Sequence, residues 1–209
     1  MASKILSEKV EKVRQFRLSS KATTTNGYAK VPQLFAQITQ PDDVDFLIIP
    51  SVSSERRRYV PIGFATRDII SSNAVQIVPN ATLYHFGVLT SNVHMAWMRA
   101  VCGRLKSDYR YSKEIVYNTF PWPKPTEEQK IKIEQTAQMI LNAREQYSDC
   151  SLADMYGEKM YLFPELVKAH QDNDRAVMQA YGFTKGTEAY KSEAACVAEL
   201  MKLYQKKVE

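Results

Sequence analysis

The chain has 209 residues, 44% hydrophobic, 24% charged and 11% aromatic, with 7 Gly and 9 Pro. At this length folding can bury roughly 70% of the unfolded surface, and the composition excludes a disordered tail, a collagen-like repeat and a low-complexity linker. The net charge of +5 is unevenly spread: residues 1–122 hold 16 basic and 9 acidic side chains, residues 123–209 hold 12 and 14, so a basic half that suits a polyanion adjoins a near-neutral one.

From the N-terminus, Ser3–Ser19 carries Leu6, Val10, Val13 and Phe16 at helical spacing and predicts a helix. Asp45–Ile49, Tyr59–Phe64 and Val75–Val78 are short and rich in β-branched or aromatic residues. They read as strands, with Pro50, Pro61 and Pro79 marking edges or strand ends. Thr90–Cys102 predicts a helix, opened by Ser91 and Asn92 and stopped by Gly103. Ile115–Tyr117 reads as a further strand. Pro121-Trp122-Pro123-Lys124-Pro125 is a rigid, extended connector, after which the apolar period changes to 3.6. Thr126–Gln129 forms a capping box ahead of Ile133, Ala137, Ile140, Leu141 and Arg144 on one face. Ser151–Asp154 opens a short segment, and Pro164 precedes a helix over Leu166–Tyr181 that Gly182 ends. The last helix runs from about Thr187 to Val208, with Val197, Leu200, Met201 and Tyr204 inward. The expected architecture is α+β: a mixed α/β domain over residues 1–122, then a small antiparallel helical bundle over residues 123–209.

No apolar run approaches the ~18 residues of a membrane helix, and Met1–Glu8 lacks the apolar stretch of a signal peptide. Cys102, Cys150 and Cys196 lie too far apart for a disulfide framework or a zinc finger. The expectation is a soluble, cytoplasmic chain with no membrane contact. No phosphate-cradling glycine loop or hydrolase motif occurs. His85, His94 and His170 have no partner at metal-ligand spacing and are expected to be structural. Pro41-Asp42 with Glu128-Gln-Lys130 resembles a scattered nuclease pattern, but the latter residues belong to a capped first helical turn, so the match is set aside.

The segment Gly103-Arg-Leu-Lys-Ser-Asp-Tyr-Arg-Tyr-Ser112 stands out. If it is extended, Lys106, Asp108 and Arg110 project from one side, with Leu105, Ser107, Tyr109 and Tyr111 on the other. Lys and Arg can donate to guanine O6 and N7, and Asp can accept from cytosine N4, so Lys106 and Asp108 could read one G·C pair. The same pattern also suits a solvated hairpin with a surface ladder of charge. Arg56, Arg57 and Arg58 lie between two predicted strands and suit phosphate contacts, or equally an exposed turn with local ion pairs. Trp97 and the Phe120-Pro-Trp122 turn are expected to pack in the interior and at the domain joint rather than stack on bases.

Ser53–Phe64, Val78–Leu89, His94–Leu105, Tyr109–Ser112, Val116–Pro123 and Ser151–Tyr156 together resemble the MmeI-like DNA methyltransferases of single-chain (type IIG or IIL) restriction–modification systems. The resemblance spans the whole chain and is to the C-terminal part of that family: its target recognition domain and the helical extension behind it. It implies sequence-specific recognition of double-stranded DNA in an adenine-N6 methyltransferase, with base reading by Lys106 and Asp108 as a pair, by Arg110 together with Ala74, and by Asn73 and a residue near Ser51–Ser53. Arg56–Arg58 and Arg104 are then expected mainly on phosphates, and the expected partner besides DNA is the methyltransferase domain of the same enzyme. S-adenosylmethionine and Mg2+ are implied for the whole enzyme and none for this chain, where the FxGxG and (D/N)PP(Y/F) motifs are absent. The rival expectation is a protein-interaction module that docks on the methyltransferase with only non-specific DNA contact. RNA binding ranks last for want of an exposed aromatic platform.

Overall fold

In the computed structural model, which describes residues 2–36, 38, 41 and 43–208, the first element is helix α1, Ala2–Leu18. Asp42, part of the acidic match set aside above, lies outside the described residues. The chain divides into two compact units, residues 1–40 and 41–209. In the first, α1 is followed by α2 (Thr23–Gly27) and a 3-10 turn, Tyr28–Lys30. The apolar residues whose spacing announces α1 are not what packs it, for Leu6 and Phe16 stay exposed. Its arginines hold it instead. Arg14 Nη1 donates to Ala29 O at 3.1 Å, and Arg17 donates to the carbonyls of Tyr28, Val31 and Leu34 at 2.8–3.0 Å.

The second unit is built on two three-stranded antiparallel sheets. In one, β1 (Phe46–Pro50) lies between β3 (Gly63–Ala65) and β4 (Val75–Pro79), with Leu47 opposite both Phe64 and Val78. In the other, β6 (Asp108–Arg110) lies between β2 (Val52–Ser53) and β5 (Gly103–Leu105). Pro50 and Pro79 stand at strand ends as expected. The strand expected over Tyr59–Phe64 is shorter: Ile62 N donates to Val60 O at 2.9 Å in a tight local turn, Tyr59, Val60 and Ile62 are buried in the core, and only Gly63–Ala65 joins the ladder. The strand expected at Ile115–Tyr117 is a π-helical turn, Lys113–Tyr117. Ser112 starts it by accepting from Ile115 N, so local capping overrides the β-branched composition.

Helix α3 (Leu83–Leu89) precedes α4 (Asn92–Val101). Gly103 does not stop α4 as a left-handed cap: Cys102 is already extended (φ −69°, ψ 154°), and Gly103 opens β5. The later helices are α5 (Glu127–Glu145), α6 (Leu152–Met155), α7 (Pro164–Ala180) and α8 (Glu193–Val208). The capping boxes at Thr126/Gln129 and Ser151/Asp154 form reciprocally, and Gly182 ends α7 with φ 75°. The helical part draws in helices from before the connector. α3 packs on α5 and α7, and α8 lies on α4, where the rings of Trp97 and Tyr204 are 5.9 Å apart. An added Cβ at Gly87 of α3 would meet Ile133 Cγ2 of α5 at 2.7 Å, so this close crossing requires glycine. One continuous core joins Leu47, Ile49, Phe86, Trp97 and Phe120 to Ile133, Ile140, Leu166 and Val177. Each such side chain is worth about 1.5–3 kcal/mol on burial. Among the described residues no helix is long and apolar enough to cross a membrane.

Candidate nucleic-acid interface

Ser51, between β1 and β2, joins the two sheets through its backbone. Its N–H donates to Ala74 O at 2.9 Å and its carbonyl accepts from Tyr111 N at 2.9 Å, while Gln76 Nε2 donates to its Oγ at 3.1 Å. Val52 then pairs with Arg110, and Arg110 with Gly103. Asn73 and Ala74 stand exposed on one side of the Ser51–Val52 segment and Arg110 lies on its other side, so the expected pair Arg110 and Ala74 is separated by that one segment.

Along β6 the side chains alternate. Tyr109 is buried, as is Tyr111 beyond it, whose hydroxyl lies 3.0 Å from His94 Nε2. Asp108 and Arg110 take the opposite face. Lys106 does not continue that row. Leu105 pairs with Asp108, so Lys106 and Ser107 form the two-residue hairpin tip, and Lys106 has φ 57°. The same turn brings Leu105, expected on the side opposite Asp108, onto the Asp108 side, where it is 51% exposed. Asp108 has a second contact that period-two reasoning misses: its Oδ1 accepts from Glu55 N at 3.3 Å, tying the hairpin to the arginine loop.

The four arginines expected on phosphates are placed differently from one another. Arg104 sits on the Tyr109 face of the hairpin, stacked 4.0 Å above that ring. Its Nη1 donates to Ser107 O at 2.8 Å and lies 4.0 Å from Glu55 Oε2, so it braces the tip. Arg56 Nη1 pairs with Glu158 Oε1 at 2.7 Å. Arg58 lies over the Tyr59 ring, 5.4 Å from its centroid. Among the described residues the side chains of Arg57, Lys106 and Arg110 make no hydrogen bond or ion pair. Of the cations expected to meet DNA, these three also lack a ring partner among those residues.

A buried polar frame sits beneath this surface. Tyr59 donates to Asp174 Oδ2 at 2.6 Å, and Asp174 Oδ1 accepts from Asn92 N at 2.7 Å at the start of α4. The carboxylate thus anchors both the end of the arginine loop and the helix that leads into the hairpin. Arg99 Nη2 of α4 donates to Arg58 O at 2.6 Å. Tyr59 stacks on His170, whose Nε2 lies 2.7 Å from Tyr156 Oη; that hydroxyl accepts from Arg144 Nε and Nη2 at 2.9 and 2.6 Å. Tyr156 therefore donates its single proton to His170, which is held neutral. Burial pushes the His94 imidazole down to about 3 and His170 well below its ordinary value, with Arg144 and Arg58 adding to the latter. Burial raises Asp174 to about 6, against its hydrogen bonds from Tyr59 and Asn92 and the nearby Arg58 charge. His94 and His170 are interior and His85 Nδ1 accepts from Thr82 N in the α3 cap, so all three have structural surroundings. Trp97 is buried and donates to Val116 O at 3.2 Å, and Phe120 is buried, as expected.

Sequence reasoning did not single out Tyr59, Asp174, Arg99 or Glu158. Ser51 lay within the region it named, but nothing in the spacing distinguishes it as the joint. Among the described residues no group of three or more His, Cys, Asp or Glu side chains is placed to hold a metal ion.

Residues 1–124 match the family model for the MmeI target recognition domain, and residues 125–209 that for the MmeI C-terminal domain. DNA methyltransferase A of Bacillus subtilis (strain 168) is 36% identical over 205 residues, covering 98% of this chain and 22% of its own length. The structure of the type IIL restriction–modification enzyme MmeI in complex with DNA aligns with a TM-score of 0.86 at 46% identity, over 98% of this chain and 26% of that one. The chain spans about a quarter of the length of these relatives.

Proposed function

The chain belongs to the MmeI family, as its target recognition and C-terminal domains, and we propose from this that it reads the sequence of duplex DNA for a restriction–modification adenine-N6 methyltransferase. The observation that carries the reading is the shared edge at Ser51. There backbone bonds from Ser51 reach Ala74 on one side and Tyr111 on the other, and Arg110 pairs with the next residue, Val52, near Asp108 and the hairpin tip with Lys106. Arg110, Lys106 and Asp108 reach base edges in the major groove from this edge, with Ala74 and Asn73 beside them. Arg57, whose side chain has no hydrogen-bond or ion-pair partner among the described residues, meets phosphate and sets register without reading sequence. Arg104 supports the tip from the opposite, Tyr109 face of the hairpin and adds to the positive charge around it.

In this reading the chain works beside the methyltransferase part of its enzyme, in the cytoplasm. S-adenosylmethionine and Mg2+ are assigned to parts of the enzyme outside this chain, which lacks the FxGxG and (D/N)PP(Y/F) motifs and, among the described residues, any group of three His, Cys, Asp or Glu placed to hold a metal ion.

The test is selection of duplexes from a random pool by the purified chain, followed by exchange of the proposed pair. Lys106→Glu with Asp108→Arg is expected to move preference at one position from G to C on the same strand, with discrimination of about 1–3 kcal/mol. An enriched motif that the double variant leaves unchanged overturns base reading by this pair.

A further inference from the structure

The recognition edge leaves one cationic recess unused. It lies between the triple-arginine loop and the Gly157–Tyr161 segment, with Arg56 and Arg58 on one wall, Tyr161 and Gln171 on another, and Tyr59 lining it. Tyr59 offers only its ring, since its hydroxyl is given to Asp174. The loop that carries both guanidinium groups is held by Arg99 at Arg58 O and by Asp108 at Glu55 N. Met160 and Val167 form an apolar floor to the recess, and the two guanidinium groups, the Tyr161 phenol and the Gln171 amide among its lining are polar groups of the kind that hold a tetrahedral oxyanion by charge-assisted hydrogen bonds. Glu158 is the one acidic residue lining the recess, and its Oε1 is already 2.7 Å from Arg56 Nη1. The two side chains are 71% and 61% exposed, so water screens the pair and a competing phosphate oxygen can exchange with the carboxylate.

We propose that this recess is a phosphate site for the backbone of duplex DNA, and that Glu158 fills it in the unbound protein as an internal stand-in for the phosphate. The inference rests on the DNA-reading function above and adds a contact from the second matched domain, which supplies Glu158, Tyr161 and Gln171. It has a specific consequence for salt dependence. When DNA enters, Glu158 must give up Arg56 and take a cation from solution, which offsets the counterion released from the phosphate. The native recess therefore tightens binding while adding little to the salt slope.

The experiment measures affinity of the full 209-residue chain for a mixed-sequence duplex over a range of KCl concentrations. Glu158→Gln is expected to tighten binding about twofold to fivefold at low salt and to steepen the slope of log K against log salt by about 0.9. Arg56→Gln added to Glu158→Gln is expected to abolish both gains. Equal affinity and slope for Glu158→Gln and the native chain, with unchanged circular dichroism and melting, would overturn the proposal. A second arm follows the Nε–Hε nuclear magnetic resonance signals of Arg56 and Arg58 in the Glu158→Gln variant as inorganic phosphate is added. Phosphate shifts without any duplex binding would overturn the DNA assignment, and with it the reading of the whole chain. No shift of either arginine, beside duplex binding that still depends on Arg110, would overturn the recess alone.

Discussion

Lys106 is a side chain whose conformation and proposed role pull apart. At φ 57° it occupies the left-handed region, which costs an ordinary residue about 1–2 kcal/mol relative to glycine. Lys106→Gly should therefore raise the melting temperature by a few degrees while weakening discrimination at the base position assigned to Lys106 and Asp108. Thermal melting and the duplex selection, read on the same variant, check both halves. A lower melting temperature would mean that the lysine is held there by something other than its proposed task. The types and order of these residues were legible in the sequence, because alternation correctly sends Tyr109 and Tyr111 inward. The tip was not, since nothing in Leu105-Lys-Ser-Asp108 is the Asn-Gly or Asp-Gly that announces a two-residue turn. Asp108 holding Glu55 N across 53 positions of sequence was equally hidden, as pairing at such separation leaves no local pattern.

At the scale of elements, the crossing of α3 over α5 leaves no room for a side chain at Gly87. Gly87→Ala would bring a methyl group to 2.7 Å from Ile133 Cγ2 and 3.1 Å from Asn173 Oδ1, and Asn173 Nδ2 also donates to Gly87 O at 2.8 Å. Overpacking of this kind costs about 1–3 kcal/mol, and the chain is expected to melt several degrees lower with its duplex preference unchanged. Pairing Gly87→Ala with Ile133→Val should recover part of the loss. Elements with strong local signals were readable: α5 and α6 from their capping boxes, α7 from Pro164 and Gly182, and β1 and β4 from their β-branched runs. Helix α3 was not, because Leu83-Tyr-His-Phe-Gly-Val-Leu89 is short, apolar on nearly all sides and interrupted by the very glycine its packing needs. A helix buried on most of its surface loses the polar face that periodicity depends on.

For the molecule as a whole, three buried groups set an unusual response to acid. His94 and His170 are kept neutral in the fold but protonate near pH 6.5 when unfolded, so each costs about 1.4 kcal/mol of stability per pH unit below that value. Asp174 acts in the other sense: with a folded value of about 6, it binds a proton in the fold that the unfolded chain has lost, so its contribution improves as pH falls from 6 to 4. Two losses against one gain leave a net loss of about 1.4 kcal/mol per pH unit over that range. Asp174→Asn removes the opposing proton and should double the slope, against the same background of surface carboxylates. Urea unfolding at several pH values between 4 and 6.5 checks this, and equal slopes for the two proteins would refute it. Such balances are invisible in sequence, where His170 and Asp174 are ordinary residues on a polar helix. Only the shared core, which brings α7 beneath the arginine loop, buries them together.

The joint at Ser51 also bears on how readily the proposed specificity can change. Because its rungs to Ala74 and Tyr111 run from main chain to main chain, the positions at 74 and 110 keep their spacing whatever side chains they carry. In the proposed reading, new residues there would alter what is read without disturbing what holds the reader. Asp108 has no such freedom, for its carboxylate also fastens Glu55. Along one edge, then, some letters of the target are inexpensive to rewrite by a single substitution, whereas the one assigned to Asp108 calls for a compensating change in the neighbouring loop.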